Sequence, residues 1–467
     1  MNGPAALAFD DREYTLAELD ALAAGLATTL EHRGVRRGDR VALMSSNRPE
    51  FVVALRAIWR LGAAAVLLSP AWRRTEVENA LALTEPSHAV GDNPVLAEAM
   101  PMLSLDDPIA PGRRRSEPPP ADADALFVFS SGTTGMPKAV RHTHRAFAAA
   151  VRHWRGALGL TASDRMQIVT PPSHILGLLN IVMALDTGAW IRLHGRFDVD
   201  QMLHHIEADR ITIEMAVAPI ALALAAHPKL DSHDLSSLRY VMWCATPVTA
   251  TVAETISART GVNWVTAYGT SELPVLTCNT LTDAKLDTVG RAVKGVELRI
   301  VSLEDGTPVE TGEVGEIQAR SESVMAGYLP DEATAQAFSD GWYRTGDVGW
   351  LDSDRWLRIT DRAKEMIKVR GFQVAPAEIE AVLHGHPAVD DCAVFGVDDV
   401  ADGEAVVAAV ATHGPVDAEE LTTLVADRLA SYKQLKRVVF VPEIPRLPSG
   451  KALRRVLKEQ HGRPSDG

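Results

Sequence analysis

The sequence predicts an α/β protein built from two or three packed units, and three observations carry that expectation. Its 467 residues exceed one ordinary core, at roughly 100 to 200 residues per domain. Helical and strand-like apolar periods alternate from Thr15 to Leu68, and a smaller alternation restarts beyond Asp361. The composition, 46% hydrophobic and 23% charged, is that of a globular chain rather than a disordered or membrane one.

Thr15 followed by Glu18 is a capping box. Leu16, Leu19, Leu22, Leu26 and Leu30 then recur at helical spacing until Gly34, so a first amphipathic helix is expected. A strand-like Arg40 to Met44 follows, then a helix opened by Pro49 and closed near Gly62, then a buried strand from Ala63 to Leu68. Such β-α-β alternation implies stacked layers with a largely parallel sheet and ligands at the carboxyl ends of its strands. The stretch from Ala110 to Asp122, rich in arginine and proline, reads as an exposed loop, and a strand from Ala125 to Phe129 follows it. Beyond Asp361, a helix from Pro376, strands at Cys392–Val397 and Val406–Thr412, and a helix at Glu419–Leu429 predict a small α+β domain.

Composition also excludes several classes of function. The longest apolar stretch, Phe51 to Leu68, is broken by Arg56 and Arg60, so no transmembrane helix is expected. Met1 to Asp10 lacks a basic segment followed by an apolar one, which implies a cytoplasmic location and no membrane partner. Three distant cysteines, Cys244, Cys278 and Cys392, fit a reducing compartment without a disulfide framework. The net charge of −14 disfavours nucleic acid but leaves room for a local basic cleft that binds a small phosphorylated substrate. His142 with His144, His204 with His205, and His384 with His386 lack the companions of a metal site.

The chemistry begins where the Ala125–Phe129 strand runs into Ser130, Ser131, Gly132, Thr133, Thr134, Gly135 and Lys138. Hydroxyls, backbone donors and one ammonium suit a polyphosphate, and the glycines allow close backbone approach. The lysine follows the second glycine by three residues, which separates this loop from the common nucleotide-binding P-loop.

Further motifs follow in order: Pro171 to His174, Tyr268-Gly269-Thr270-Ser271-Glu272, Gly315-Glu316-Ile317, Tyr343-Arg344-Thr345-Gly346-Asp347, Asp361-Arg362-Ala363-Lys364, Gly371 to Pro376, and Pro448-Ser449-Gly450-Lys451. Together they resemble the adenylate-forming superfamily of acyl-CoA synthetases, firefly luciferase and peptide-synthetase adenylation domains, over essentially the whole chain. The Gly371 to Glu380 stretch is most similar to 4-coumarate-CoA ligases and their bacterial relatives. The resemblance implies a large, multi-sheet layered N-terminal AMP-binding domain, residues 1–362, and a small mobile C-terminal lid, residues 363–467. It also implies ATP and Mg2+, with CoA as co-substrate.

By the same resemblance Glu272 is the metal ligand, Tyr268 stacks on adenine beside Gly269 and Ala245, and Ser271 touches the α-phosphate. Asp347 takes the ribose hydroxyls and Arg362 supports the same sugar; a structural ion pair is the alternative. Lys451 stabilises charge between the substrate oxygen and the α-phosphorus. Lys364 is the hinge, with Lys368, Arg370 and Gly371 on the lid face presented to the acceptor. Arg196 either contacts the CoA nucleotide or is a surface arginine. His174 either gates the substrate or polarises the acceptor, unless it is simply structural.

The expected substrate pocket comprises Ser173, Leu176, Asn180, Trp243, Cys244, Leu273, Pro274 and Val275, and here the chain departs from the ligases. Trp243-Cys244-Ala245 replaces smaller residues, and the indole either shortens the pocket or is ordinary core. Leu273-Pro274-Val275-Leu276 is one residue shorter than the usual run, and Ser173 stands where an aromatic is usual. The expected activity is AMP-forming activation of an aromatic or short carboxylic acid, followed by transfer to CoA. The alternatives are a carrier-protein thiol or an amine as acceptor, nitrite activation for diazotisation of an aryl amine, or a non-catalytic nucleotide-binding regulator. A monomer or homodimer is expected.

Overall fold

The protein is described from a computed structural model, which describes residues 3–113, 117–130, 138–244, 250–362, 365–369, 372–399, 403–446 and 452–462. The chain forms two compact units: residues 1–297 with 319–343, and residues 298–318 with 344–467.

The first helix, Leu16–His32, starts where predicted. Thr15 accepts a hydrogen bond from the Glu18 amide, and the Glu18 carboxylate accepts one from the Thr15 amide, so two otherwise orphaned donors are satisfied. Leu19, Ala23, Leu26 and Leu30 bury its apolar stripe. Strands Arg40–Met44, Ala64–Leu67 and Asp124–Ser130 and the helix Pro49–Arg60 likewise fall where their periodicity places them. These strands belong to a seven-stranded sheet in the order Gly327–Leu329, Lys138–Thr143, Asp124–Ser130, Ala64–Leu67, Arg40–Met44, His88–Gly91, Met102–Ser104. Its central pairs are parallel.

A nine-stranded sheet takes the order Arg291–Ala292, Thr277–Cys278, Trp264–Tyr268, Tyr240–Trp243, Ile213–Ala216, Arg165–Ile168, Trp190–Leu193, Ala5–Phe9, Arg12–Thr15. The run from Trp264–Tyr268 to Ala5–Phe9 is parallel throughout. Helices lie between the two sheets. Leu16–His32 packs on Pro49–Arg60, and His144–Leu158 on Ile175–Thr187; one helix of each pair touches each sheet. The outer face of the nine-stranded sheet carries the largest buried side chains of its core, Trp190, Trp243 and Trp264, with Leu203, Ile206, Leu224 and Ile256.

In a further five-stranded sheet Leu357–Arg362 pairs with Trp342–Leu351. Within the second unit another sheet joins Phe372–Val374, Ile367–Val369, Gly403–Thr412 and Val389–Asp399, with Arg437–Phe440 parallel to Gly403–Thr412. Its apolar residues divide with the period of two that a strand imposes. Val394, Val406, Ala408 and Val410 pack under the helices Pro376–His384 and Ala418–Arg428, whereas Phe395, Val397, Val407 and Ala409 pack with Leu457 of Arg454–His461. Both faces are covered, which is why these strands read as continuous apolar runs rather than as alternation.

Candidate active site

The expected phosphate loop leaves and re-enters one pair of adjacent strands. Ser130 and Lys138 are register partners at the carboxyl end of Asp124–Ser130. Ser131, Gly132, Thr133, Thr134 and Gly135 lie outside the described residues. Lys138 is half-buried, its ammonium 5.1 Å from the centre of the Tyr328 ring.

Three further segments emerge from the carboxyl ends of parallel strands in the nine-stranded sheet, where α/β folds gather ligands. After Arg165–Ile168 the chain reaches His174, the N-cap of Ile175–Thr187. Its Nδ1 accepts a hydrogen bond from the Leu176 amide at 3.2 Å. Burial lowers its pKa, so the ring is neutral and carries its proton on Nε2, which is left as a donor. Gly177 completes the Pro-x-x-His-x-x-Gly pattern for a steric reason: a Cβ there would fall on the carbonyl oxygens of Thr170 and Pro171. Ser173 is half-buried and Leu176 buried. Asn180 is also buried and accepts the Trp154 indole hydrogen bond at 2.7 Å.

After Tyr240–Trp243 comes Cys244, whose thiol is pushed up to about 12 by burial and is therefore inert. Trp243 is 1% exposed, its ring centre 5.6 Å from that of Trp264, so packing supports its core reading. Ala245 lies outside the described residues.

After Trp264–Tyr268 the motif folds into a tight turn. Thr270 N–H donates to the Leu273 carbonyl, Leu273 N–H donates to Thr270 Oγ1, and Leu276 N–H donates back to the Tyr268 carbonyl. Gly269 is required because a Cβ would meet the Pro274 carbonyl. Leu273 and Val275 are fully buried behind this turn, with Pro274 half-buried between them. Beneath it His142, neutral because burial lowers its pKa, donates from Nε2 to the Ser271 carbonyl at 2.8 Å. Glu272 is buried, and its Oε1 accepts the Tyr328 hydroxyl at 2.7 Å.

Tyr343, 3% exposed, places its hydroxyl 3.4 Å from Thr270 Oγ1. Burial raises the pKa of the Tyr328 and Tyr343 phenols, with the Glu272 charge acting in the same direction, and keeps them protonated. Sequence reasoning missed Tyr328 and gave Tyr343 no role, although Tyr343 opens one of the motifs. His142 was weighed only as a metal candidate; its contact with Ser271 needs the fold. Arg196 is exposed, next to Phe197, which is 42% exposed.

In the second unit Asp347 is buried, and its amide donates to Thr345 Oγ1. It pairs in register with Arg362. Arg344 binds the Glu316 carboxylate through Nε and Nη2. Asp361 accepts the Ala377 amide at 3.0 Å and so caps the helix Pro376–His384. Lys368 is exposed, while Lys364, Arg370, Gly371 and Lys451 lie outside the described residues.

No helix is long and apolar enough to cross a membrane, among the described residues. The three cysteines are free and buried.

Comparison with known proteins agrees with this arrangement. Residues 2–329 match the family described as AMP-binding enzyme, and residues 378–451 match the AMP-binding enzyme C-terminal domain. The chain is 34% identical, over 489 aligned positions, to 4-coumarate–CoA ligase 1 of Solanum tuberosum, with 96% of this chain and 89% of that protein covered. ATP-bound MatB from Rhodopseudomonas palustris has a TM-score of 0.93 at 27% identity, with 98% of this chain and 96% of that one covered. The amide bond synthetase McbA from Marinactinospora thermotolerans has a TM-score of 0.90 at 32% identity, with 98% and 97% covered. A likeness that runs through both domain types at this identity decides membership: the chain belongs to the AMP-binding enzyme family and is an AMP-forming, adenylate-forming ligase.

Proposed function

We propose that the chain activates an aromatic or short carboxylic acid with ATP as an enzyme-bound acyl-adenylate and then transfers the acyl group to CoA. The observation that carries this reading is the clustering of Lys138, Tyr328 and Glu272, which sets an ammonium over the ring and a carboxylate at the hydroxyl of one phenol. A polyphosphate with its counter-ion needs that pairing of charges.

Glu272 suits Mg2+ by the chemistry of its donor. The described residues contain no group of three or more His, Cys, Asp or Glu able to hold a metal, and a magnesium ion needs only one or two carboxylates when phosphates supply the rest. Once bound, the ion would neutralise phosphate charge. The residues of the chain then share the remaining work. Lys138 and the loop hold the β- and γ-phosphates, Tyr268 stacks on adenine, and Asp347 with Arg362 takes the ribose. A carboxylate oxygen of the substrate attacks the α-phosphorus, the bond to the β-phosphate oxygen breaks, and pyrophosphate leaves while Lys451 stabilises the developing charge. The neutral His174 offers its Nε2 proton on the substrate side. Residues 363–467 then turn about Lys364 as a lid and present the Lys368–Gly371 face, so that the CoA thiol attacks the acyl carbon and AMP departs.

A second reading keeps the adenylation and changes the acceptor to an amine. The likeness to an amide bond synthetase favours it, together with the altered Ser173 and Leu273 positions. Nitrite activation ahead of an aryl amine is a variant of that reading, and a carrier-protein thiol is the remaining alternative acceptor. The test is to incubate purified protein with ATP, Mg2+, a panel of carboxylates, nitrite with aryl amines, and CoA. Pyrophosphate and acyl-CoA should appear with at least one carboxylate. Pyrophosphate release that requires nitrite and ignores every carboxylate would sink the leading reading.

A further inference from the structure

Tyr328 lies on the short strand Gly327–Leu329, which pairs with Lys138–Thr143. One side chain therefore touches both charged groups to which the proposed function gives the phosphates and their metal: its ring carries Lys138 at 5.1 Å, and its hydroxyl reaches Glu272 at 2.7 Å. The direction of that hydrogen bond follows from valence. A carboxylate only accepts, so Tyr328 donates its single proton to Glu272. Tyr343 stands close by, its hydroxyl 3.4 Å from Thr270 Oγ1, which accepts the Leu273 amide at 3.0 Å.

A buried hydrogen bond to a carboxylate is stronger than one between neutral groups and holds its partners in one arrangement. Glu272 is 8%, Tyr328 8% and Tyr343 3% exposed, so water competes little for these bonds. Among the described residues no hydrogen bond reaches Glu272 Oε2.

The geometry points to Tyr328 as a positioning residue: by occupying Oε1 it holds Glu272 in one rotamer with Oε2 presented to a divalent cation, while its ring stays under the Lys138 ammonium. This rests on the reading of Glu272 as the metal-binding carboxylate.

The test measures binding of ATP to the full-length protein by calorimetry, with and without Mg2+, for wild type, Tyr328→Phe, Tyr328→Leu and Glu272→Gln. Phenylalanine at 328 keeps the ring under Lys138 and deletes only the hydroxyl. Groups that orient a metal ligand contribute about tenfold or more to metal affinity. Tyr328→Phe should therefore weaken MgATP binding about tenfold and leave metal-free ATP binding at its wild-type strength. If Glu272→Gln weakens MgATP binding and Tyr328→Phe does not, the positioning role is overturned while the metal reading stands. If Glu272→Gln leaves MgATP binding unchanged, the metal reading fails and the inference falls with it. Should Tyr328→Phe not fold, Tyr328→Leu, which likewise lacks the hydroxyl, decides by the same ratio of MgATP to metal-free ATP binding.

Discussion

Glu214 is a carboxyl group with no access to solvent, in the middle of the strand Ile213–Ala216. Gln167 Nε2 donates to its Oε2 at 2.5 Å and the Met215 amide to its Oε1 at 3.0 Å, but burial outweighs both and pushes its pKa up to about 8. On the far side of Gln167, burial drives His194 down to about 4. The two groups act in different pH windows. Between about 4 and 6.5 the unfolded chain binds the imidazole proton that native His194 refuses, so the His194 share of stability is lost as pH falls. Glu214 has the opposite sign, because its native form keeps a proton that the unfolded carboxyl releases above 4.5. Its share is complete below that value and is lost as pH rises toward about 8. At roughly 1.4 kcal/mol per pKa unit, about 5 kcal/mol is the upper bound. Glu214→Gln should therefore gain thermal stability relative to wild type as pH rises from 6.5 to 8. Parallel melting-temperature profiles for the two proteins in that window would contradict this account.

At the scale of the element, the Tyr268–Glu272 turn shows why one motif glycine cannot be exchanged. A Cβ on Gly269 would occupy the place of the Pro274 carbonyl, so the turn would have to open, moving Ser271 and Glu272 together. Displacing reacting groups by about 1 Å costs on the order of a hundredfold in rate. Gly269→Ala should lose pyrophosphate exchange by about that factor while its circular dichroism spectrum stays native. Wild-type exchange would show that the turn tolerates the methyl group.

The turn also marks where sequence reading stopped. Its glycine, tyrosine and glutamate were legible because the motif is contiguous, as was the Thr15–Glu18 cap, whose hydrogen bonds span three residues. Tyr328 and His142 were not. They reach the turn from the paired strands Gly327–Leu329 and Lys138–Thr143, remote from it in sequence, and no local period announces that approach. The two readings of Trp243 could not be separated from sequence either, since a fully buried strand is apolar on both faces.

At the scale of the molecule, the proposed reaction divides between the two units. Glu272 and Lys138 belong to the first, and Asp347 and Lys451 to the second. If Lys451 serves only the adenylating step, Lys451→Ala should abolish ATP-dependent pyrophosphate release yet still consume a synthetic acyl-adenylate in the presence of CoA. The single-turnover rates of the two steps are the measurement, and equal loss in both would refute the lid exchange.

By itself the sequence determined the alternation of helix and strand, the small C-terminal α+β domain, and the adenylate-forming family. These follow from capping, apolar period and contiguous motifs, all of which are local. Only the tertiary structure decided the strand orders, the burial of Trp243 against Trp264, and the contacts of Tyr343 with Thr270 and of Tyr328 with Glu272. Those contacts join residues far apart along the chain, and a hydrogen bond between such residues depends on which strands are neighbours, a choice made by the packing of whole sheets.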